Sequence, residues 1–142
     1  MSNIASALGA FTDQKTVILT TYRRDGTPVD TPVHIVADGD RAFIRTYEKA
    51  YKTKRLRRRP EAELWLAANG REPALLALLR PKQARRAGGP VHVRARELSG
   101  EEFRRASAAL ARRYPLLHGV VIPATHRMAR TRTINLELTA AE

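Results

Sequence analysis

The clearest two-residue alternation runs from Pro90 to Leu98, where Val91, Val93 and Ala95 are apolar and His92, Arg94 and Arg96 are not. That period sends one set of side chains to each face of a half-exposed strand. Thr133 to Leu138 repeats it, with Ile134, Leu136 and Leu138 inward. Four further runs read as strands. Thr16–Tyr22 (TVILTTY) is uncharged and partly β-branched, and Thr31–Ala37 (TPVHIVA) and Arg41–Thr46 (RAFIRT) follow it. Ala62–Ala68 sets Leu64 and Leu66 on one face and Trp65 on the other. Turn residues at Arg23-Arg24-Asp25-Gly26 and Asp38-Gly39-Asp40 separate the first three runs, and so predict an antiparallel meander.

Helical spacing marks the remaining segments. Ile4, Leu8 and Phe11 form one stripe over Ser2–Phe11. Lys49–Arg59 predicts a short helix stopped by Pro60. Ser99-Gly100-Glu101-Glu102 has the spacing of a capping box. The helix it opens carries Phe103, Ala106 and Leu110 and ends near Pro115. Leu116–Arg130 is a less regular helical stretch, broken by Gly119 and Pro123. Six strands in a single domain, 1–142, predict a mainly β fold with helices, an antiparallel barrel whose closure hides the strand edges.

Composition narrows the chemistry. The 142 residues contain no cysteine, which excludes disulfides, thiolate metal sites and cysteine nucleophiles. The absence of an 18-residue apolar run predicts no membrane span, and no membrane partner is expected; the lack of a basic lead-in before MSNIASALGAF, with the lack of cysteine, predicts a cytoplasmic chain. The glycines form neither G-x-G-x-x-G nor a P-loop, and no G-x-S-x-G occurs. His34, His92, His118 and His126 are far apart and predict no metal site. No catalytic acid, base or nucleophile stands out.

The net charge is +12, an excess that calls for an anionic partner. Its densest part is Lys49–Arg59, where seven of eleven residues are basic and none is acidic. Such repulsion favours either a solvated helix face or a bound anion. The run follows the strand end Ile44-Arg45-Thr46, where free N–H groups of a helix start favour phosphate. Thr46 offers a hydroxyl, and Arg45 and Lys52 offer charge-assisted bonds. Pro32 has no N–H to give to a ladder, so Thr31-Pro32-Val33 belongs at a strand start or an open edge, where free backbone groups meet a planar ring. Trp65 reads as a lid on a cofactor, a subunit contact or ordinary burial. Single-strand nucleic-acid binders interleave aromatic with basic residues on strands. Aromatics here are only 6% and the basic run is helical, so nucleic acid is not the expected partner.

In this order, TTYRRDGTPVDTPVHIV (Thr20–Val36), FIRTYEKAYKTKRLRRRPEAEL (Phe43–Leu64) and VHVRARELSGEEFRRASAALARRYPLLHG (Val91–Gly119) resemble the pyridoxamine 5'-phosphate oxidase-like superfamily. The K-x-K-R-L-R pattern is similar to its small, deazaflavin-dependent branch. The resemblance implies a six-stranded split β-barrel, a homodimer with a cofactor site at each end of the interface, and hydride transfer to a small unsaturated or conjugated substrate. It implies coenzyme F420, with FMN as the alternative and a non-catalytic cofactor carrier as a second. Arg45, Thr46 and Lys52 are then expected at the cofactor phosphate, Lys54 and Arg55 in the same basic wall, and Thr31, Pro32 and Val33 against the ring. Arg57, Arg58 and Arg59 suit the polyglutamate tail of F420. Residues 69–89 depart from the pattern as an insertion between the fourth and fifth strands. Within it Pro73–Arg80 reads as one or two helical turns that cap the site or simply pack.

Overall fold

A computed structural model describes residues 8–73, 85–115 and 122–141. Ser2–Ala7 of the first expected helix, most of the 69–89 insertion and the start of the 116–130 stretch lie outside them. Seven strands form one antiparallel sheet: β1 Thr16–Tyr22, β2 Pro28–His34, β3 Val36–Asp38, β4 Arg41–Tyr47, β5 Glu61–Ala67, β6 Arg86–Glu97 and β7 Thr133–Ala140. Among the described residues, helices longer than a turn are α1 Tyr51–Arg58 between β4 and β5, then α2 Gly100–Arg113 and α3 Ile122–Met128 between β6 and β7. The strand order is β2-β1-β5-β6-β7-β4-β3.

That order corrects the expected meander and the closed six-stranded barrel. The single run 31–37 is two strands, parted at Ile35, and β2 starts at Pro28 rather than Thr31. The two strands are the opposite edges of the sheet, so the chain passes from one edge to the other through one residue. Ile35 is fully buried; its N–H donates to the Lys15 carbonyl instead of continuing a ladder (3.4 Å). No ladder joins β2 to β3 or β4 among the described residues, so the sheet curls without closing. The curl shows in the core. Val33 of β2 and Ala42 and Ile44 of β4 share one cluster with Leu19, Leu64, Val93, Leu136 and Leu138.

Both expected turns form, with Gly26 and Gly39 at φ of 87° and 67°, a region open to glycine at no steric cost. The expected fifth strand begins four residues early, at Arg86 rather than Pro90. Leu64 pairs with Val91 but Leu66 pairs with Ala87, so β6 carries extra residues opposite Trp65. Gly88 (φ 69°), Gly89 and Pro90 supply this bulge, which lets the strand continue past a proline. The capping box does not form as expected. Ser99 is the N-cap of α2 without a side-chain cap bond. Glu102 turns instead to Arg96, at 2.9 Å, because a guanidinium is a stronger partner than a lone N–H. α2 packs Ala106 and Leu110 on Phe43, on the outside of the curl.

Candidate functional site

The basic helix α1 seats itself across one end of the curled sheet through its few uncharged residues. Leu56 enters the core, and Thr53 is 1% exposed. The Thr53 hydroxyl donates to the Tyr47 carbonyl (2.7 Å). Its single proton is thereby used, so at 3.1 Å the Thr46 hydroxyl is the donor to Thr53. Thr46 thus fastens α1 to β4. Arg45 and Thr46 point to opposite faces of β4, as neighbours in a strand must. Ile44 and Ala42 face the interior and Phe43 faces α2. Arg45 lies outside, with Nε 3.4 Å from Asn135 Oδ1. Asn135 is fixed by its own bonds to the Phe103 carbonyl (3.0 Å) and Ser107 (2.7 Å).

The seven cations of the run have different fates. Arg57 is held by Glu97 (2.7 Å) and Glu48 (2.8 Å), which makes it a strut between α1 and β6 rather than a free cation for a tail. Arg59 stacks on the Tyr22 ring at 4.2 Å, and Arg58 donates to the Tyr22 carbonyl. Lys49 and Lys54 are exposed, the latter 5.5 Å over the Tyr51 ring. Arg55 donates through Nε to Thr21 Oγ1 at 2.7 Å. Burial lowers its pKa from the ordinary value, and the charges of Arg23 and Arg58 lower it further. Lys52 is half-buried. Its pKa is lowered by burial first and by Arg55 second. Among the described residues no carboxylate pairs with Lys52 or Arg55.

Elsewhere part of the cationic surplus is absorbed locally. Arg41 meets Glu137 at 2.7 Å and Arg86 meets Asp30 at 2.6 Å while lying over the Trp65 ring. Within α1, Lys52 and Arg55 are therefore the half-buried cations that no carboxylate meets among the described residues. Two histidines stand close enough to feel Lys52. His34, against Tyr114 at 5.2 Å between ring centres, is pushed down to about 4 by burial and then by Lys52. His126 is lowered by burial, then by Arg45 and Lys52; its Nδ1 lies 2.7 Å from Thr133 Oγ1 and its ring 5.4 Å from that of Tyr47. The sequence placed neither histidine here, because β2 and α3 are remote along the chain. The only local signal of the anchor was Thr53, three residues before Leu56 on the buried face of a basic helix.

The expected ring residues lie on β2, which has β1 on one side only. Pro32 is exposed opposite Ile18, on the open-edge strand its missing N–H requires. Thr31 is half-buried opposite Leu19, and Val33 is buried in the core, so the Val33 side chain is not free to lie on a ligand. Among the described residues no group of histidine and carboxylate side chains could hold a metal, and no helix is long and apolar enough to cross a membrane.

A curled antiparallel sheet, edge joined to edge through one buried residue and floored at one end by a cationic helix, defines a small split-sheet α+β protein. Residues 5–142 match the family model for pyridoxamine 5'-phosphate oxidase, and the chain belongs to that family. No curated protein sequence matches it. Its fold is similar to the crystal structure of HutZ, a heme storage protein of Vibrio cholerae. That pair has a TM-score of 0.68 and 15% identity, covering 98% of this chain and 91% of the other. It is also similar to a provisional pyridoxamine 5'-phosphate oxidase of Listeria innocua (0.59, 12%, 99% and 93%). A FAD-binding protein of Mesorhizobium loti gives 0.59 and 11%, over 96% and 87%. Identities this low carry the fold alone.

Proposed function

We propose that the chain binds a flavin-type cofactor through its phosphate, with coenzyme F420 as the ligand and a small conjugated or unsaturated molecule as the substrate. The observation that carries this reading is the half-buried pair Lys52 and Arg55, which no carboxylate neutralises among the described residues. A desolvated cation without a counterion costs stability, and a bound phosphate removes that cost. Lys52, Arg55 and Lys54 hold the phosphate, Arg45 adds charge from the outer face, and Thr46 keeps α1 in position. The open edge of β2 at Thr31, Pro32 and Val33 offers backbone groups to the ring. A deazaflavin supplies hydride transfer when bound; the protein supplies position and a dry surface. The proposal includes a homodimer, which sedimentation checks.

The test is a binding panel of F420, FMN and hemin, followed by reoxidation of reduced F420 with conjugated acceptors. Micromolar binding of F420 and acceptor-dependent reoxidation support the reading. Tight binding without reoxidation by any acceptor makes the protein a cofactor carrier. A Soret shift with hemin and no binding of either flavin overturns the flavin assignment.

A further inference from the structure

The groove between β3 and α2 shares no lining residue with the α1 site. Its volume is about 590 Å³, within the ordinary range for small-molecule sites. Val36, Ala37 and Asp38 form one wall, and Arg105, Ala109, Arg112 and Arg113 form the other. Three guanidiniums face one carboxylate. Asp38 is already engaged by Arg105 at 3.1 Å and by Arg41 at 3.4 Å. Arg113 gives a bond to a neutral acceptor, the Gln14 carbonyl, at 2.8 Å. Arg112 is exposed and has no carboxylate partner among the described residues. The C-terminal dipole of α2 favours cations here, but a partial charge at a helix end is weaker than the full charges of three guanidiniums and leaves the net positive charge of the groove in place.

The second wall element is an open strand edge. β3 pairs with β4 alone. In an antiparallel strand, residues alternate between facing the partner and facing away. Whichever parity β3 adopts, at least one residue of Val36–Asp38 turns its N–H and C=O toward the unpaired side. The groove therefore combines guanidiniums for an anion, an apolar patch at Val36, Ala37 and Ala109, and backbone donors and acceptors at its border.

We propose that this groove is a second ligand site, for a small organic molecule that carries a carboxylate or phosphate on a short apolar body. It does not rest on the cofactor reading, since none of its lining residues is among those placed at the cofactor.

The experiment is a set of amide correlation spectra of the full, uniformly labelled chain, titrated with phenyl phosphate, benzoate and neutral benzyl alcohol. Both anions are expected to shift the amides of Ala37, Asp38 and Arg112 with saturation, and the alcohol is not. R112E reverses one exposed charge and is expected to weaken anion binding about tenfold or more. A109W fills the groove without altering charge and is expected to abolish the shifts. Shifts confined to residues around Lys52, shifts that survive both variants, or no saturable shift at millimolar anion would each overturn the proposal. A stronger response to phenyl phosphate than to benzoate would assign the ligand class to phosphates, and the reverse to carboxylates.

Discussion

Lys52 is the residue at which stability and binding are expected to oppose one another. Its charge is desolvated and sits beside Arg55. Lys52→Met should therefore raise the unfolding temperature while weakening the binding of F420 or FMN. Removing such a charge is worth on the order of 1 kcal/mol, or about 3 °C in a domain of this size. A calorimetric scan and a ligand titration of the same variant check both halves. His34 gives a pH dependence. Its folded pKa, about 4, lies below the ordinary 6.5, so protons favour the unfolded chain. The contribution of neutral His34 is complete above pH 6.5 and is lost as the pH falls towards 4, by at most about 3 kcal/mol. Urea midpoints at pH 7 and pH 5 should converge in His34→Asn. Lys52 also links the two histidines to the ligand. An anion beside it cancels the positive field on His34 and His126, so binding takes up protons. At pH 6, binding heats measured in buffers of different ionisation enthalpy should differ accordingly; identical heats would show that the anion lies elsewhere. The facing groups are Lys52 from α1, Arg45 and Tyr47 from β4, Thr133 from β7 and Tyr114 beyond α2.

At the scale of elements, α1 shows how far a charge run can be read. The run, its stop at Pro60 and its position after β4 were visible, because proline and charge act locally. The division of labour within it was not. Arg57 belongs with Glu97, forty residues away, and that partner is set by how β6 passes the helix. Arg57→Gln is thus expected to cost less than about 1 kcal/mol, since both partners are over a third exposed, and to leave ligand binding intact. Arg55→Gln is expected to weaken binding about tenfold with little effect on folding. Fluorescence titration and urea unfolding of the two variants separate the strut from the site. The same locality explains β6. Val91, Val93 and Ala95 announced their face by period, whereas the start at Arg86 depends on a bulge that only the pairing with β5 reveals. The bond between Thr46 and Thr53 was not legible for a like reason: the two are near in sequence, but a hydroxyl does not advertise which acceptor it will choose.

For the whole molecule, alternation fixes which side chains face inward but not which strands are neighbours. The apolar sets of β5, β6 and β7 were legible and lie in one core. The break at Ile35 was not, because TPVHIVA has nothing in it that forbids a continuous strand. What separates β2 from β3 is a tertiary clamp. The Tyr114 hydroxyl, at the end of α2, lies 2.5 Å from the Ile35 carbonyl and 2.9 Å from the Lys15 carbonyl. Its one proton is shared between an acceptor at the β2–β3 junction and another just before β1. Arg113 reinforces the same point through the Gln14 carbonyl. The β2–β3 junction and the approach to β1 are thereby tied to the end of α2, which adds to the shared core in keeping the curl without a closing ladder. Tyr114→Phe keeps the ring contact with His34 but leaves two carbonyls without this donor, one of them on fully buried Ile35. The expected cost is about 1–3 kcal/mol. The loss should be local before it is global. Hydrogen exchange at Ile35 and Val36 should quicken well beyond the change in β1 and β5, because those strands keep both neighbours. A variant that loses protection evenly across the sheet would instead mean that the edges are held by the core alone, and that the buried junction is a consequence of the curl and not its cause.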